Sequence, residues 1–433
     1  MPVRPTFAPV LVVGAGPAGA TAARTLARAG VAVRLLDRAA FPRNKPCGGG
    51  ISMRALRRFP YLPAALSRIP THTLRRLYLQ GPDGESAVIE SAEPAALMIR
   101  RVEFDALLVS LAVEAGAELV TGADVVQASQ TGDGVALTTR DGRRFEGSIV
   151  IAADGVHSVV ARRLGINPGW PAASLALDMM EETPRAALRD VDPSTLWVAY
   201  GYQGTAVALH RSDSRAMPEG YAYIFPKRDH VNIGIGYVLS YFRSKLDRAP
   251  YDLQRAFIDD LRSRGVVVGD SERRNFTPFL IPVGGPLAEP GRGRVLLAGD
   301  AGGFVNAFTA EGIYYAMVSG DLAGRAVVQG DGADPIAGNL ATRYRRACDR
   351  EIGLELRDSV SIQRHLFSDR QRIARFIRQA PRHPAIATVI LDYAIGRRSY
   401  RSARRRLISR SPRLASSLML QRAKFFARGL SRR

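Results

Sequence analysis

Six residues near the start of the chain, Gly14-Ala15-Gly16-Pro17-Ala18-Gly19, constrain the fold more than any other stretch. They follow a short apolar run, Val10–Val13, and precede apolar residues at helical spacing, Ala22, Leu26 and Ala29. A strand, a glycine turn and a helix in that order open a β-α-β unit, and Val31–Asp37 supplies its second strand. Each glycine has its own duty. Gly14 permits the tight turn, Gly16 lets backbone approach a pyrophosphate, and Gly19 lets helix and strand pack closely. The positive end of the helix dipole then faces the phosphates. Asp37 ends the second strand, where a carboxylate can accept ribose hydroxyls. The pattern predicts a dinucleotide on a parallel sheet and leaves NAD and FAD both open.

Three later segments bear on that choice. The strand Arg294–Ala298 runs into Gly299-Asp300, the strand Ser148–Ala153 into Asp154-Gly155, and Arg101 opens Arg101-Val102-Glu103-Phe104-Asp105. Taken singly, Asp300 serves equally well as a helix cap and Asp154 as a turn former. In this order the four segments resemble the FAD-binding segments of the para-hydroxybenzoate hydroxylase superfamily. The resemblance implies Asp300 on the ribityl chain, Arg101 on the flavin nucleotide, and a helix N-terminus facing the isoalloxazine ring, where its dipole stabilises negative charge. The cofactor-binding set it implies begins with Gly14, Gly16, Ala18, Gly19, Asp37, Arg38, Cys47 and Gly48. It continues with Arg101, Asp154, Gly155, Gly299, Asp300, Gly312 and Ile313. Where that family often has an arginine three residues after Ser158, this chain has Ala161.

Within the superfamily, three stretches are similar to the geranylgeranyl reductases, which saturate prenyl double bonds. They are Lys45-Pro46-Cys47-Gly48-Gly49-Gly50, then Tyr221-Ala222-Tyr223-Ile224-Phe225-Pro226-Lys227 with Asn232-Ile233-Gly234-Ile235-Gly236, and the segment Gly303–Ala316. Tyr223 replaces the family's usual Trp, and Ala307 and Ala310 replace its usual Pro and Gly. On a strand, Tyr221, Tyr223 and Phe225 share one face, which either lines a hydrocarbon channel or packs as core. Cys47 reads as a small buried hydrophobe or as a thiol that orients substrate or supplies a proton. The resemblance implies the second and makes Cys47, Tyr221 and Tyr223 the catalytic candidates. A flavin monooxygenase acting on an aromatic or polyketide substrate shares every FAD segment and is the competing enzyme reading. A flavin-occupied lipid-binding protein is the non-catalytic one. NAD(P)H or another donor would serve as reductant. His157 and His230 have no companions at metal-ligand spacing, so no metal is expected.

With 433 residues, the chain is long enough for several packed units. The predicted class is α/β: a Rossmann-like FAD-binding domain, a β-sheet-rich substrate domain and a C-terminal helical region. The FAD-binding domain is expected over 1–60, 98–170 and 286–335, and the substrate domain over 61–97 and 171–285. Residues 336–396 form the helical region, with pauses at Ala380-Pro381 and Pro384, and 397–433 a basic amphipathic tail. Residues 38–60 read as loop. Only Cys47 and Cys348 are present, which suits a reducing cytosol, and no apolar run reaches the ~18 residues of a membrane span. Net charge is +21, of which the tail carries 13 Lys or Arg and no acid. Leu407, Ile408, Leu414, Leu418, Leu420, Phe425 and Phe426 interleave with those charges. That pattern favours an anionic membrane surface over a nucleic-acid arm or a solvated tail. The expected location is the cytoplasm, peripheral on the inner face of the membrane, with a prenyl lipid, quinone or pigment as substrate.

Overall fold

A computed structural model describes residues 10–130, 134–202, 218–330, 339–379, 389, 392 and 398–410. The chain divides into two compact units, each assembled from three stretches. Residues 1–45, 101–174 and 281–356 make the first, and 46–100, 175–280 and 357–433 the second. Residues 46–60, expected with the dinucleotide fold, thus group with the second unit, and 336–356 with the first.

In the first unit, Val10–Val13, Val150–Ala152 and Val295–Leu297 are buried on both faces, as central strands of a parallel sheet must be. The six-stranded sheet runs Gly291–Arg292, Val295–Leu297, Val150–Ala152, Val10–Val13, Val33–Leu36, Glu118–Val120. Only the Gly291–Arg292 pairing is antiparallel. Val10–Val13 has its successor Val33–Leu36 on one side and Val150–Ala152 on the other. The order therefore reverses there, and the loops after the two inner strands open a crevice at their carboxyl ends. Helix Pro17–Arg28 starts at that crevice, with extended Gly16 before it and Pro17 in the first turn.

The second unit is built on a seven-stranded sheet: Phe276–Pro282, Leu175–Pro184, His230–Val238, Gly220–Pro226, Thr195–Tyr200, Arg76–Gln80, Ser86–Glu90. Period-two alternation gives it two different faces. Met179, Trp197, Ala199, Ala222, Ile224, Ile233 and Ile235 point into a hydrocarbon core shared with Leu253, Phe257 and Leu261 of helix Pro250–Ser263. Alternate positions on the same strands, Asp178, Tyr200, Tyr221, Tyr223, Phe225 and Asn232, occupy the opposite face. The loop expected over 38–60 is not all loop. Gly50–Ser52 pairs with Ala96–Met98, and Met53–Arg58 is helical. A three-residue strand has no periodicity of its own, and a distant partner defines it.

The start of the expected tail belongs to this unit. Helix Tyr400–Arg410 is fastened to buried Asp358, which accepts hydrogen bonds from the Tyr400 hydroxyl at 2.9 Å and from Arg404 Nε at 2.8 Å. Arg401, Arg405 and Arg406 remain exposed. Residues 397 and 411–433 of the expected tail, and the expected pauses at 380–384, lie outside the described residues. Among the described residues, no helix is long and apolar enough to cross a membrane.

Deleting 398–433 should therefore cost stability that deleting 411–433 does not. Removing the Tyr400 and Arg404 contacts to a buried carboxylate costs about 1–3 kcal/mol. Thermal unfolding of the two truncated proteins checks this: the shorter protein melts several degrees below the longer.

Candidate functional site

The first unit carries a cradle of backbone and charge around the glycine turn. Gly14 has φ of +93°, and a Cβ there would meet the Ala153 carbonyl oxygen at 2.4 Å. Asp37 fastens the turn from the second strand. Its Oδ2 accepts from the Ala15 amide at 2.7 Å, and its Oδ1 from Ala39 at 2.9 Å. The turn's geometry is thus set by two elements that the sequence places together.

At Gly16 the space a side chain would fill is open, with Arg43 Nη2 at 3.8 Å and Arg101 Nη2 at 3.9 Å from the Cβ position. Two guanidinium groups therefore converge on the mouth of a 12-residue helix. Fully buried Asp105 holds both of them. It binds Arg101 through two hydrogen bonds of 2.5 and 2.6 Å, and Arg43 Nη1 lies 3.2 Å from it. Two cations, a helix N-terminus and bare backbone are the donor set a pyrophosphate needs. Arg38, by contrast, is exposed. Arg43 was not singled out in the sequence, since only its distant partner Asp105 gives it a direction.

The later segments close around the same turn. Ala18 Cβ lies 3.0 Å from the Cβ position of Gly299, whose amide donates to Ser319 Oγ at 2.9 Å. Asp300 Oδ1 stands 3.8 Å from the Cβ position of Gly312, the residue before helix Ile313–Val328, so carboxylate and helix N-terminus share one corner. Asp154 Oδ2 accepts from the amides of Val159 and Val160 at 2.8 and 3.2 Å, capping a short helix. Burial raises its pKa, and its Oδ1 is buried with no hydrogen-bond partner among the described residues. An acceptor left open beside Gly155, whose backbone is left-handed, suits a polar ligand group. Ala161, in place of an arginine, is 1% exposed and belongs to the apolar core. In the loop before Gly312, Ala310 has φ of +53°, alone among described non-glycine residues in the left-handed region. Asn306 Oδ1 holds that loop through the amides of Phe308 and Thr309.

The second unit brings together the catalytic candidates. Tyr200, Tyr221, Tyr223 and Phe225 form a row with successive ring centroids 5.8, 6.2 and 4.5 Å apart. Gly234, opposite Tyr223 in register, makes room for it: a Cβ there would be 2.3 Å from the ring. The ring crosses that bare strand, and its hydroxyl donates to buried Asp178 Oδ2 at 3.0 Å. Burial and the Asp178 charge push the Tyr221 and Tyr223 hydroxyls well above the ordinary phenol range. The Cys47-Gly48-Gly49 segment lies on this row. A Cβ on Gly48 would be 2.5 Å from the Phe225 ring, and one on Gly49 would be 2.1 Å from the Ile99 carbonyl oxygen. The Gly49 amide donates to Cys47 Sγ at 3.4 Å, and Cys47 is half-buried. Cys47 and Gly48 thus stand in the second unit, the other cofactor candidates in the first.

At the end of the row, the buried Lys227 ammonium pairs with Glu182, which also accepts from Arg100 Nε at 2.8 Å. Burial lowers the Lys227 pKa. It would raise that of Glu182, but the two cations outweigh it and hold that carboxyl below its usual range. Asp178 escaped the sequence reading, although a lone carboxylate in the apolar run Leu175–Met180 was the available signal.

Residues 8–234 match the FAD binding domain family. The chain is 29% identical over 366 residues to digeranylgeranylglycerophospholipid reductase 2 of Methanothermobacter thermautotrophicus, covering 82% of this chain and 87% of that protein. It is 32% identical over 345 residues to the menaquinone reductase of Mycobacterium tuberculosis, covering 78% and 81% respectively. Among solved structures, a geranylgeranyl bacteriochlorophyll reductase-like protein from Thermoplasma acidophilum shares the fold. The TM-score is 0.75 over 95% of this chain and 98% of that one, at 18% identity.

Arg43→Gln removes one of the two guanidiniums at Gly16 while leaving a shorter, neutral polar side chain. A charge-assisted hydrogen bond is worth about 1.5–3 kcal/mol, so FAD should bind roughly tenfold or more weakly. Fluorescence titration of the apoprotein with FAD reads this directly.

Proposed function

Because the chain belongs to the geranylgeranyl reductase family of FAD-dependent oxidoreductases, we propose that it saturates isolated double bonds in a prenyl chain carried by a lipid, quinone or pigment. The observation that carries this reading is the aromatic row with the Cys47-Gly48-Gly49 segment laid upon it, in a chain that binds FAD. One relative is named for a digeranylgeranyl lipid and another for menaquinone, and both kinds of molecule carry a prenyl chain.

Bound FAD, reduced by NAD(P)H or another donor, supplies the two electrons as a hydride. The chain's own residues do the rest. Arg43, Arg101 and the amides of the glycine turn would hold the diphosphate, Asp37 the ribose and Asp300 the ribityl chain. Ring faces of Tyr221, Tyr223 and Phe225 would hold the hydrocarbon and exclude water, so that the alkene is presented in one orientation. Cys47 would supply or orient the proton. Tyr223 is a poor acid for that purpose, because its hydroxyl proton is given to Asp178 and its pKa is high.

The exposed Arg401, Arg405 and Arg406 lie on one side of a helix whose other side is fastened to Asp358. With the basic residues that follow, they would hold the protein on anionic lipid at the inner face of the membrane, where prenyl substrates reside.

Anaerobic products should gain two hydrogens per double bond and no oxygen. A requirement for oxygen, with a gain of one oxygen atom, would transfer the protein to the monooxygenase reading. Cys47→Ser should keep FAD and melting temperature while slowing alkene reduction about 10²-fold. Rapid mixing of reduced protein with prenyl substrate measures it; full-speed reduction would end the catalytic role of the thiol.

A further inference from the structure

The aromatic face of the second unit holds a charge that packing does not require. Asp178 is 7% exposed on a strand whose apolar neighbours Leu177 and Met179 point into the hydrocarbon core. Burying a carboxylate costs several kcal/mol that pairing and hydrogen bonds only offset, and a leucine would fill the same place without that cost. The face around it is built to bring the charge close. Gly236 stands opposite Asp178 and Gly234 opposite Tyr223, so no side chain of the intervening strand separates the carboxylate from the rings at either position. The Tyr223 ring crosses Gly234 and gives its hydroxyl proton to Asp178 at 3.0 Å.

The chemistry of an isolated trisubstituted alkene calls for such a charge. No electron-withdrawing group activates it toward hydride. The π pair instead takes a proton at the less substituted carbon, forming one C–H bond and leaving positive charge on the tertiary carbon. Reduced FAD, when bound, would supply a hydride to that carbon, its own bond to that hydrogen breaking as the second C–H bond forms. In an apolar wall the intermediate charge is costly unless fixed negative potential faces it. Aromatic ring faces provide some. A carboxylate at the hydroxyl end of the Tyr223 ring provides more, and the phenol proton tied to it leaves the Tyr223 oxygen electron-rich.

We propose that Asp178 is an electrostatic positioning residue that, through Tyr223 and the aromatic row, makes this face favour positive charge on a tertiary prenyl carbon. The inference rests on the prenyl-reduction reading above. It extends to a ligand class: prenyl analogues with an ammonium nitrogen in place of the tertiary alkene carbon should bind here.

The test compares such an ammonium analogue with the neutral hydrocarbon of the same length, by calorimetric titration of the FAD-loaded protein. The native protein should bind the ammonium about tenfold or more tightly than the hydrocarbon. Asp178→Asn keeps the shape and an acceptor for the Tyr223 hydroxyl, and should erase the preference while leaving hydrocarbon affinity and FAD content unchanged. Tyr223→Phe, which keeps the carboxylate and the ring but removes the hydroxyl that links them, should lower the preference part-way while leaving hydrocarbon affinity in place. A merely structural anchor would instead make both variants weaken both ligands alike, and that result overturns the inference. Equal affinity of the native protein for the two ligands also overturns it, whatever the variants do, and leaves the reductase reading standing. Failure of the native protein to reduce a prenyl chain strikes the reductase reading itself, separately from the binding comparison.

Discussion

The buried carboxylate of Asp105 is the interaction on which the cofactor cradle depends. Two guanidinium groups at one helix mouth repel each other and would swing into solvent if nothing opposed them. Asp105 opposes both, taking Arg101 in a paired grip one helical turn away and Arg43 from a distant loop. Asp37 also lies 3.8 Å from Arg43, so two carboxylates balance the two guanidiniums, whose remaining N–H groups reach backbone that carries no side chain. Breaking it at the anion would strand charged groups in a buried place, which is more damaging than losing either arginine.

The second unit follows another logic. One sheet serves two solvents: a hydrocarbon core on one face and a polar-edged aromatic surface on the other. The same strands supply both, because alternation puts Ala222 and Ile224 on the first and Tyr221, Tyr223 and Phe225 on the second. The glycines at 234 and 48 are places where an aromatic ring takes the space a side chain would fill. Thus the motifs around Cys47 and Asn232 are two sides of one requirement, room for Phe225 and Tyr223.

Features with local causes were legible in the sequence. The glycine turn, its helix, the following strand and Asp37 arise from neighbours within about forty residues, and each glycine there has a conformational reason. The aromatic face was legible as a face, but spacing alone could not say which side met the core, because that depends on where helix Pro250–Ser263 lands. Arg43 was invisible for a related reason, since it acquires its direction from a partner on another element. Asp178 showed only as a lone carboxylate in an apolar run, with nothing local to say what it faces. The division between units misled in the same way around residues 46–60. There a three-residue strand takes its place from Ala96–Met98, and glycine-rich composition conceals it. The basic C-terminal stretch read as one tail because its composition is uniform, whereas Asp358 ties down only its beginning.

Ala310 carries a consequence for how the loop before helix Ile313–Val328 behaves. A methyl group at φ of +53° is held against a preference of about 1–2 kcal/mol, where glycine would sit without strain. Glycine, however, would also give the loop many other shapes. Alanine discards most of those shapes in the folded and unfolded chain alike, so the retained one must be enforced from outside, here by the Asn306 carboxamide gripping two successive amides. Side-chain contacts thus hold this segment in one shape, where a glycine would have left it several.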